Sequence, residues 1–445
     1  MKLFNRLVIS IIILIVTVCS SNIQWGKDNW KNIIKADGKG NYAYLPAVFI
    51  YHDLNFSFFD SIETKYPNPP IYYDYRIHHN GTTADKYFAG TAAAILPFFL
   101  AAHAITCFIG FPADGYSKLY LIGVNIAAIF YLLTALIFVK KILKLYEASD
   151  ALTSFLLIAM TFATNVFYYT VCEPAMSHIY SFAFITMFIY YMRNYFLSSE
   201  SLYIIILGAL LGIITFIRPV NVLIILIAPF ISGDKKTFNN GIKYLKTHIS
   251  AGISAGFVFL SIVSVQLLIY KLQTGCFWID SYGSEKFNWN NPRPFDFLFS
   301  FKKGLFIYTP IAFLSLLGFG GLFKQNKFQF YSLAVFLLSL LYVLSSWWSW
   351  WYGGSFSSRV CIDYYAVMCL LICFAFNFLK TKRRRILYSS LILSFLILCQ
   401  IQTYQYRYYF IHWEKMDKQH YWNVFMRVDL LKSHENPNDD LLKEL

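Results

Sequence analysis

The stretch KADGKGNYAYLPA, residues 35–47, holds a carboxylate, Asp37, of the kind that takes a proton from a substrate hydroxyl as a general base. The same Asp-Gly pair also reads as a plain turn in which Gly38 and Gly40 supply positive φ. Position favours the chemical reading. The residues that follow, NYAYLPAVFIYHDLNF, space apolar and aromatic side chains in a mixed helical pattern, so Asp37 stands at the approach to a helix lying on a membrane surface. Lys86, in ADKYFAG, is a mobile point charge suited to a phosphate, or else a lysine that lays its stem along the interface. Glu173 and His178, in CEPAMSHIYSFAF, are five residues apart, whereas same-face metal ligands on a helix are about three or four apart. His178 reads equally well as a satisfied interface histidine. Arg218, in FIRPVNVL, lies between two short apolar runs, where a charge marks either a site or a side chain reaching for the surface. With Pro219 breaking the helix, the simplest geometry puts Arg218 at the outer surface.

A second constellation is SSWWSWWYGGSFSSRVCIDYYA, residues 345–366. Its tryptophans fit an interfacial aromatic belt, and the faces of Trp351 and Tyr352 also suit stacking on a sugar ring. Gly353 and Gly354 permit close backbone approach, and Arg359 offers a planar fork to a phosphate. A further aromatic segment, residues 274–310, carries Asp280, Glu285 and Arg293.

The elements that must position these residues are set by composition. Of 445 residues, 57% are hydrophobic, 20% aromatic and only 14% charged, which places the chain among polytopic membrane proteins. The net charge of +14 is spread over short clusters such as KKILK (140–144) and KTKRRR (380–385) between apolar runs. That is the positive-inside pattern, with room for contacts to anionic lipid, and it argues against nucleic acid. Apolar runs near 5–23, 119–139, 151–170, 178–196, 202–217, 219–232, 248–270, 305–323, 328–346, 360–379 and 386–403 predict about eleven crossings. The first combines a basic start with a short apolar core, and is expected to remain as an uncleaved helix. Run 91–111, interrupted by Pro97 and His103, is expected to lie along the outer interface, because only then do all later basic clusters fall on one side. The opposite side then receives segments 24–118, 171–177, 271–304 and 347–359, together with a tail from 404. Residues 1–403 read as one membrane domain without internal repeat, and 404–445 as a short extracytoplasmic tail with a frayed acidic end. Eight cysteines form no CxxC pair; Cys369, Cys373 and Cys399 read as core, and a Cys172–Cys276 disulfide is left open.

A long first outer loop with an acidic residue at its start, an interfacial helix, a lysine and a second interfacial helix resembles the GT-C superfamily of membrane glycosyltransferases. Within it, the layout is similar to protein O-mannosyltransferases and lipid A aminoarabinose transferases, in forms found in Bacteroidetes. Those relatives carry an acidic pair followed by Arg-Tyr-Ala; DGKGNYAYLPA keeps the Asp and the Tyr-Ala but has Gly for the second acid. They place Lys-Pro-Pro before the second interfacial helix, where Lys86 stands here without the prolines. The resemblance implies an all-α, GT-C-like bundle in a bacterial inner membrane, with its active site facing the periplasm. It implies an inverting transfer of a sugar from a polyprenyl-phosphate donor to a lipid, glycan or protein acceptor. Asp37 would be the base, with Glu173 a second carboxylate and Asp53 or Glu173 the alternatives for the base. Lys86, Arg218 and Arg359 would hold the lipid phosphate, and Tyr42, Tyr44, His178, Trp351 and Tyr352 the sugar or acceptor. No cofactor is required, although some of the superfamily use a divalent metal. Two other readings are a polyprenol-linked saccharide flippase and an O-antigen ligase or polymerase. The near absence of charge inside the apolar runs argues against the first, and the dominance of the first loop over any late loop against the second.

Overall fold

Apolar runs in a chain with few charges satisfy their backbone groups internally, and 71% of the structure is helical, which makes it nearly all-α. The computed structural model describes residues 2–67, 72–79 and 81–429. The acidic end of the tail, ENPNDDLLKEL (435–445), lies outside the described residues.

In chain order the elements begin with α1 (Lys2–Ser20), α2 (Asp37–Phe49), α3 (Phe59–Lys65), β1 (Arg76–His79), β2 (Thr82–Asp85), α4 (Gly90–Phe108) and α5 (Lys118–Leu145). Next come α6 (Asp150–Phe162), α7 (Val166–Val171), α8 (His178–Ser198), α9 (Ser201–Ile217), α10 (Ala228–Ser232), α11 (Lys235–Thr247) and α12 (Ile249–Thr274). The last are α13 (Pro294–Phe299), α14 (Leu305–Tyr308), α15 (Ile311–Gln325), α16 (Lys327–Ser345), α17 (Tyr365–Phe378), α18 (Lys382–Arg407) and α19 (Lys418–Val424).

Among the described residues seven helical segments are long and apolar enough to cross a membrane: Phe4–Trp25, Gly90–Phe108, Lys118–Leu145, Ile249–Thr274, Lys327–Ser345, Arg359–Phe378 and Lys382–Arg407. Six coincide with expected crossings. Four more expected crossings are shorter apolar helices, Asp150–Phe162, Ser201–Ile217, Pro219–Ser232 and Ile311–Gln325. The remaining one, α8, has the length, but its four tyrosines and Arg193 make it less apolar. The seventh long helix is α4, where an interfacial segment was expected. Pro97 sits inside it without ending it, and at its far end Phe108 is 91% exposed.

The chain divides into two compact units. One comprises residues 13–138 and 169–284, the other 1–12, 139–168 and 285–445. In the first, the segment between α1 and α5 is built around an aromatic core. Phe56 meets Tyr44 at 5.7 Å and Tyr75 at 5.5 Å between ring centroids, and Phe59 meets Tyr75 at 5.2 Å. Helix α2 is enclosed by this core: Gly38 through Ala47 are all buried, whereas Val48 and Phe49 at its end are exposed. A hairpin departs from the all-α expectation. Strands β1 and β2 pair antiparallel, Arg76 with Asp85 and His79 with Thr82. Helix α9 packs along α12, its C-terminal end leading into a 3-10 segment, Pro219–Ile227.

In the second unit α15 packs on α17 so closely that a Cβ on Gly318 would stand 1.8 Å from the Leu371 carbonyl oxygen. Gly318→Ala is therefore expected to destabilise the protein by about 1–3 kcal/mol, because a backbone atom cannot step aside as a side chain would. Thermal unfolding of the purified variant checks this, and an unchanged melting temperature would refute the tight crossing. The described part of the tail folds back on α18: Gln402 donates to the Tyr421 hydroxyl at 3.1 Å, and Gln405 to the Val424 carbonyl at 2.6 Å.

Candidate functional site

Asp37 opens helix α2, and the residue before it carries the unusual geometry. Ala36 has φ 45° and ψ −130°, outside the regions a residue with a Cβ ordinarily occupies. Neither Gly38 nor Gly40 has positive φ, so the turn reading of Asp-Gly does not describe this loop. The glycines serve close approach. A Cβ on Gly38 would lie 2.8 Å from that of Ala175, and one on Gly40 would lie 2.4 Å from the Tyr87 ring and 2.8 Å from Asp85 Oδ1. The N-terminus of α2 is thereby pressed between the 172–177 loop and the end of the hairpin.

That packing brings several expected site residues together. Lys35 Nζ lies 3.4 Å from Glu173 Oε1, and Asn41 donates to the Ala175 carbonyl at 3.2 Å. Glu173 and His178 are buried. At the start of α8, His178 Nδ1 accepts from Arg218 Nη1 at 2.7 Å, so the histidine is an acceptor on that nitrogen and its proton belongs on Nε2. Arg218 follows α9 in extended conformation, freed by Pro219 from continuing the helix. A Cβ on Gly90, at the start of α4, would lie 2.3–2.4 Å from the Phe216 and Ile217 backbone, so the end of α9 is tight against the segment that carries Lys86. Lys86 Nζ stands 5.3 Å from the Tyr282 ring centroid and 6.0 Å from that of Tyr87. Burial first, and the Asp37 charge next, push the Tyr87 phenol well above its usual pKa. Asp37, Lys86, Glu173, His178 and Arg218 thus belong to one neighbourhood assembled from four separate stretches of chain.

Other expected contacts have structural partners. Tyr42 is fully buried with its hydroxyl donating to the Gly115 carbonyl, and Tyr44 donates to the Tyr87 carbonyl at 2.9 Å. Both rings lie in the core beneath α2. Asp53 accepts the backbone N–H groups of Asn55 at 2.8 Å and Ser57 at 2.7 Å, the pattern of a turn cap. Cys172 and Cys276 are not joined by a disulfide; the first is buried and the second exposed.

Two features escaped the sequence reading. Lys39 is buried and its ammonium bridges both Glu63 oxygens at 2.8 and 2.7 Å. Asp85, next to Lys86, is fully buried. Its Oδ1 accepts the Tyr87 N–H at 2.8 Å, and its Oδ2 has no hydrogen-bond partner among the described residues. Burial raises its carboxyl well above the usual 3.8, the Tyr87 N–H pulling it back in part and Asp74 adding to the rise. The folded state holds this proton more tightly than the unfolded state, so the Asp85 contribution is fully present below about pH 4 and is lost as pH rises through the folded value. Asp85→Asn, which keeps a neutral side chain, is expected to flatten that decline. Melting temperatures of wild type and variant from about pH 4 to 8 would check it; parallel curves would mean that Asp85 is ionised in the fold.

The remaining expected residues lie in the second unit. Trp351 donates to Glu414 Oε2 at 3.2 Å, and Lys302 Nζ, which pairs with Glu414 Oε1 at 3.1 Å, stands 3.6 Å from the Trp351 ring centroid. One indole face is therefore capped by a cation. Tyr352 has φ 57° and donates to the Leu344 carbonyl at 2.9 Å. Gly353 takes positive φ, while Gly354 lies against Trp413. Arg359 is buried in the 3-10 turn that leads into α17. The sequence reading also passed over Lys303, buried and donating to the Ser355 carbonyl, and His412, whose Nδ1 accepts the backbone N–H groups of Glu414 and Lys415, both at 2.9 Å. Burial, with Lys303 and Lys415 nearby, pushes the His412 imidazole down to about 4.

Among the described residues no three His, Cys, Asp or Glu side chains gather as a metal-binding group. Fold and composition together define a nearly all-α protein of the multi-pass membrane class. No known family's sequence profile, no curated protein and no solved structure matches the chain.

Proposed function

We propose that this protein is a membrane glycosyltransferase of GT-C type that moves a sugar from a polyprenyl-phosphate donor to an acceptor hydroxyl. What supports the reading is one observation above all: Asp37 opens a buried helix whose first turn is pressed against Ala175 and Tyr87, in the neighbourhood of Lys86, Arg218, His178 and the Lys35–Glu173 pair. In the proposed mechanism Asp37 takes the proton of the acceptor hydroxyl as that oxygen attacks the anomeric carbon and the phosphate departs with the bonding electrons. Inversion follows from a single displacement. Lys86 and Arg218 stabilise the negative charge that grows on the departing phosphate. Glu173, held by Lys35, helps fix the acceptor side. We assign Tyr42 and Tyr44 the support of α2. The proposed setting is a bacterial inner membrane with the site on the periplasmic face, where a lipid-borne donor arrives by lateral diffusion.

The test is transfer of label from radiolabelled polyprenyl-phosphate sugars to extracted envelope acceptors by the purified protein. Label in the acceptor fraction supports the reading. Its absence with every donor, alongside donor movement between leaflets in vesicles, would favour a flippase.

A further inference from the structure

Lys380, Lys382, Arg383, Arg384 and Arg385 stand together where α18 begins, and none makes an ion pair among the described residues. Arg385 Nε donates to the Leu379 carbonyl at 2.7 Å, which leaves the terminal guanidinium nitrogens for other acceptors. Five cations at the N-terminal end of a helix meet the positive pole of its dipole, so the arrangement is unfavourable until an anion joins it. Beside them lies a groove of about 420 Å³, lined by Lys380, Lys382 and Arg385, then Ser389 and Ile386, then Leu393.

The order of these residues along α18 carries the inference. Lys382, Arg385, Ser389 and Leu393 are three or four residues apart in succession and so share one face of the helix. At about 1.5 Å per residue the face runs some 16 Å, from cations through a hydroxyl to an aliphatic side chain. It begins at one end of a helix long and apolar enough to cross the membrane. A glycerophospholipid shows the same sequence of chemistries: phosphate, glycerol ester, acyl chain. A basic residue that merely reaches for the interface requires neither the groove nor the graded face.

We propose that this groove binds one anionic glycerophospholipid, its phosphate on Lys380, Lys382 and Arg385 and an acyl chain along Ile386 and Leu393. The proposal is independent of the transferase reading. It is tested on the full-length protein by native mass spectrometry after exchange into micelles containing dioleoyl phosphatidylglycerol or dioleoyl phosphatidylcholine at equal mole fraction. A retained phosphatidylglycerol adduct without a matching phosphatidylcholine adduct is expected. At about fivefold per cation, the triple variant K380Q/K382Q/R385Q should weaken that retention on the order of a hundredfold. Leu393→Trp keeps every charge but fills the apolar end, and should weaken it too. That variant decides the matter if the triple variant fails to fold. Equal retention of both lipids, retention unchanged by Leu393→Trp, or displacement by inorganic phosphate alone would overturn the lipid assignment.

Discussion

Asp37→Asn is expected to lower sugar transfer by about 10²–10⁴-fold, the usual contribution of a positioned general base. Asparagine keeps the size of the side chain and its carbonyl oxygen, so α2 can start as before, but it cannot accept the hydroxyl proton. Donor binding is expected to persist, because the phosphate is assigned to Lys86 and Arg218. The informative measurement is therefore paired, with single-turnover transfer and donor binding followed on the same preparations. Loss of both would point to misfolding, and retention of both would remove Asp37 from the mechanism. Glu173 would then be the next carboxylate to test, since Lys35 holds it 3.4 Å away in the same neighbourhood.

The second large effect is expected on stability. Lys39 is buried and bridges both oxygens of Glu63, which is itself only partly exposed. Replacing one partner leaves the other charge desolvated, at a cost of about 3–5 kcal/mol for buried pairs; the partial exposure of Glu63 argues for the lower end. Lys39→Met should therefore melt well below wild type, and Glu63→Leu likewise. The double variant should recover much of the loss, since no uncompensated charge remains. If the double variant falls by the sum of the two singles, the pair is not coupled and α2 is held chiefly by its aromatic packing.

The contrast between what the chain announces and what it conceals follows from these residues. Apolar runs declare themselves because burying a crossing takes a continuous stretch of one chemistry, and each expected run is helical. The start of α2 at Asp37 was legible for a related reason: it begins a patterned segment after the first apolar run. The glycines beside it were not, because glycine serves both positive φ and close approach, and only the neighbours decide between them. Here the neighbours are Ala175, Tyr87 and Asp85, supplied from far along the chain. Asp85 was hidden for the same reason, since no local pattern tells an exposed aspartate from one sealed under a helix. The strands RIHH and TTAD lack the apolar alternation that reveals a half-buried strand. Pro97, read as an interruption of its run, stands inside the continuous helix α4. In an apolar helix the backbone group it frees can be satisfied locally, so the helix continues through it.

The gathering of Asp37, Lys86, Glu173 and Arg218 also sets a timetable for biogenesis. Lys35 leaves the ribosome 138 residues before its partner Glu173, and Arg218 follows later still. At about 5–20 residues per second this is a wait of roughly 7–30 seconds. Throughout that interval the polar start of α2 must be kept from premature partners while later helices are inserted. The packing around residues 35–41 is therefore completed only after the chain has been made past Glu173, however early α2 itself forms.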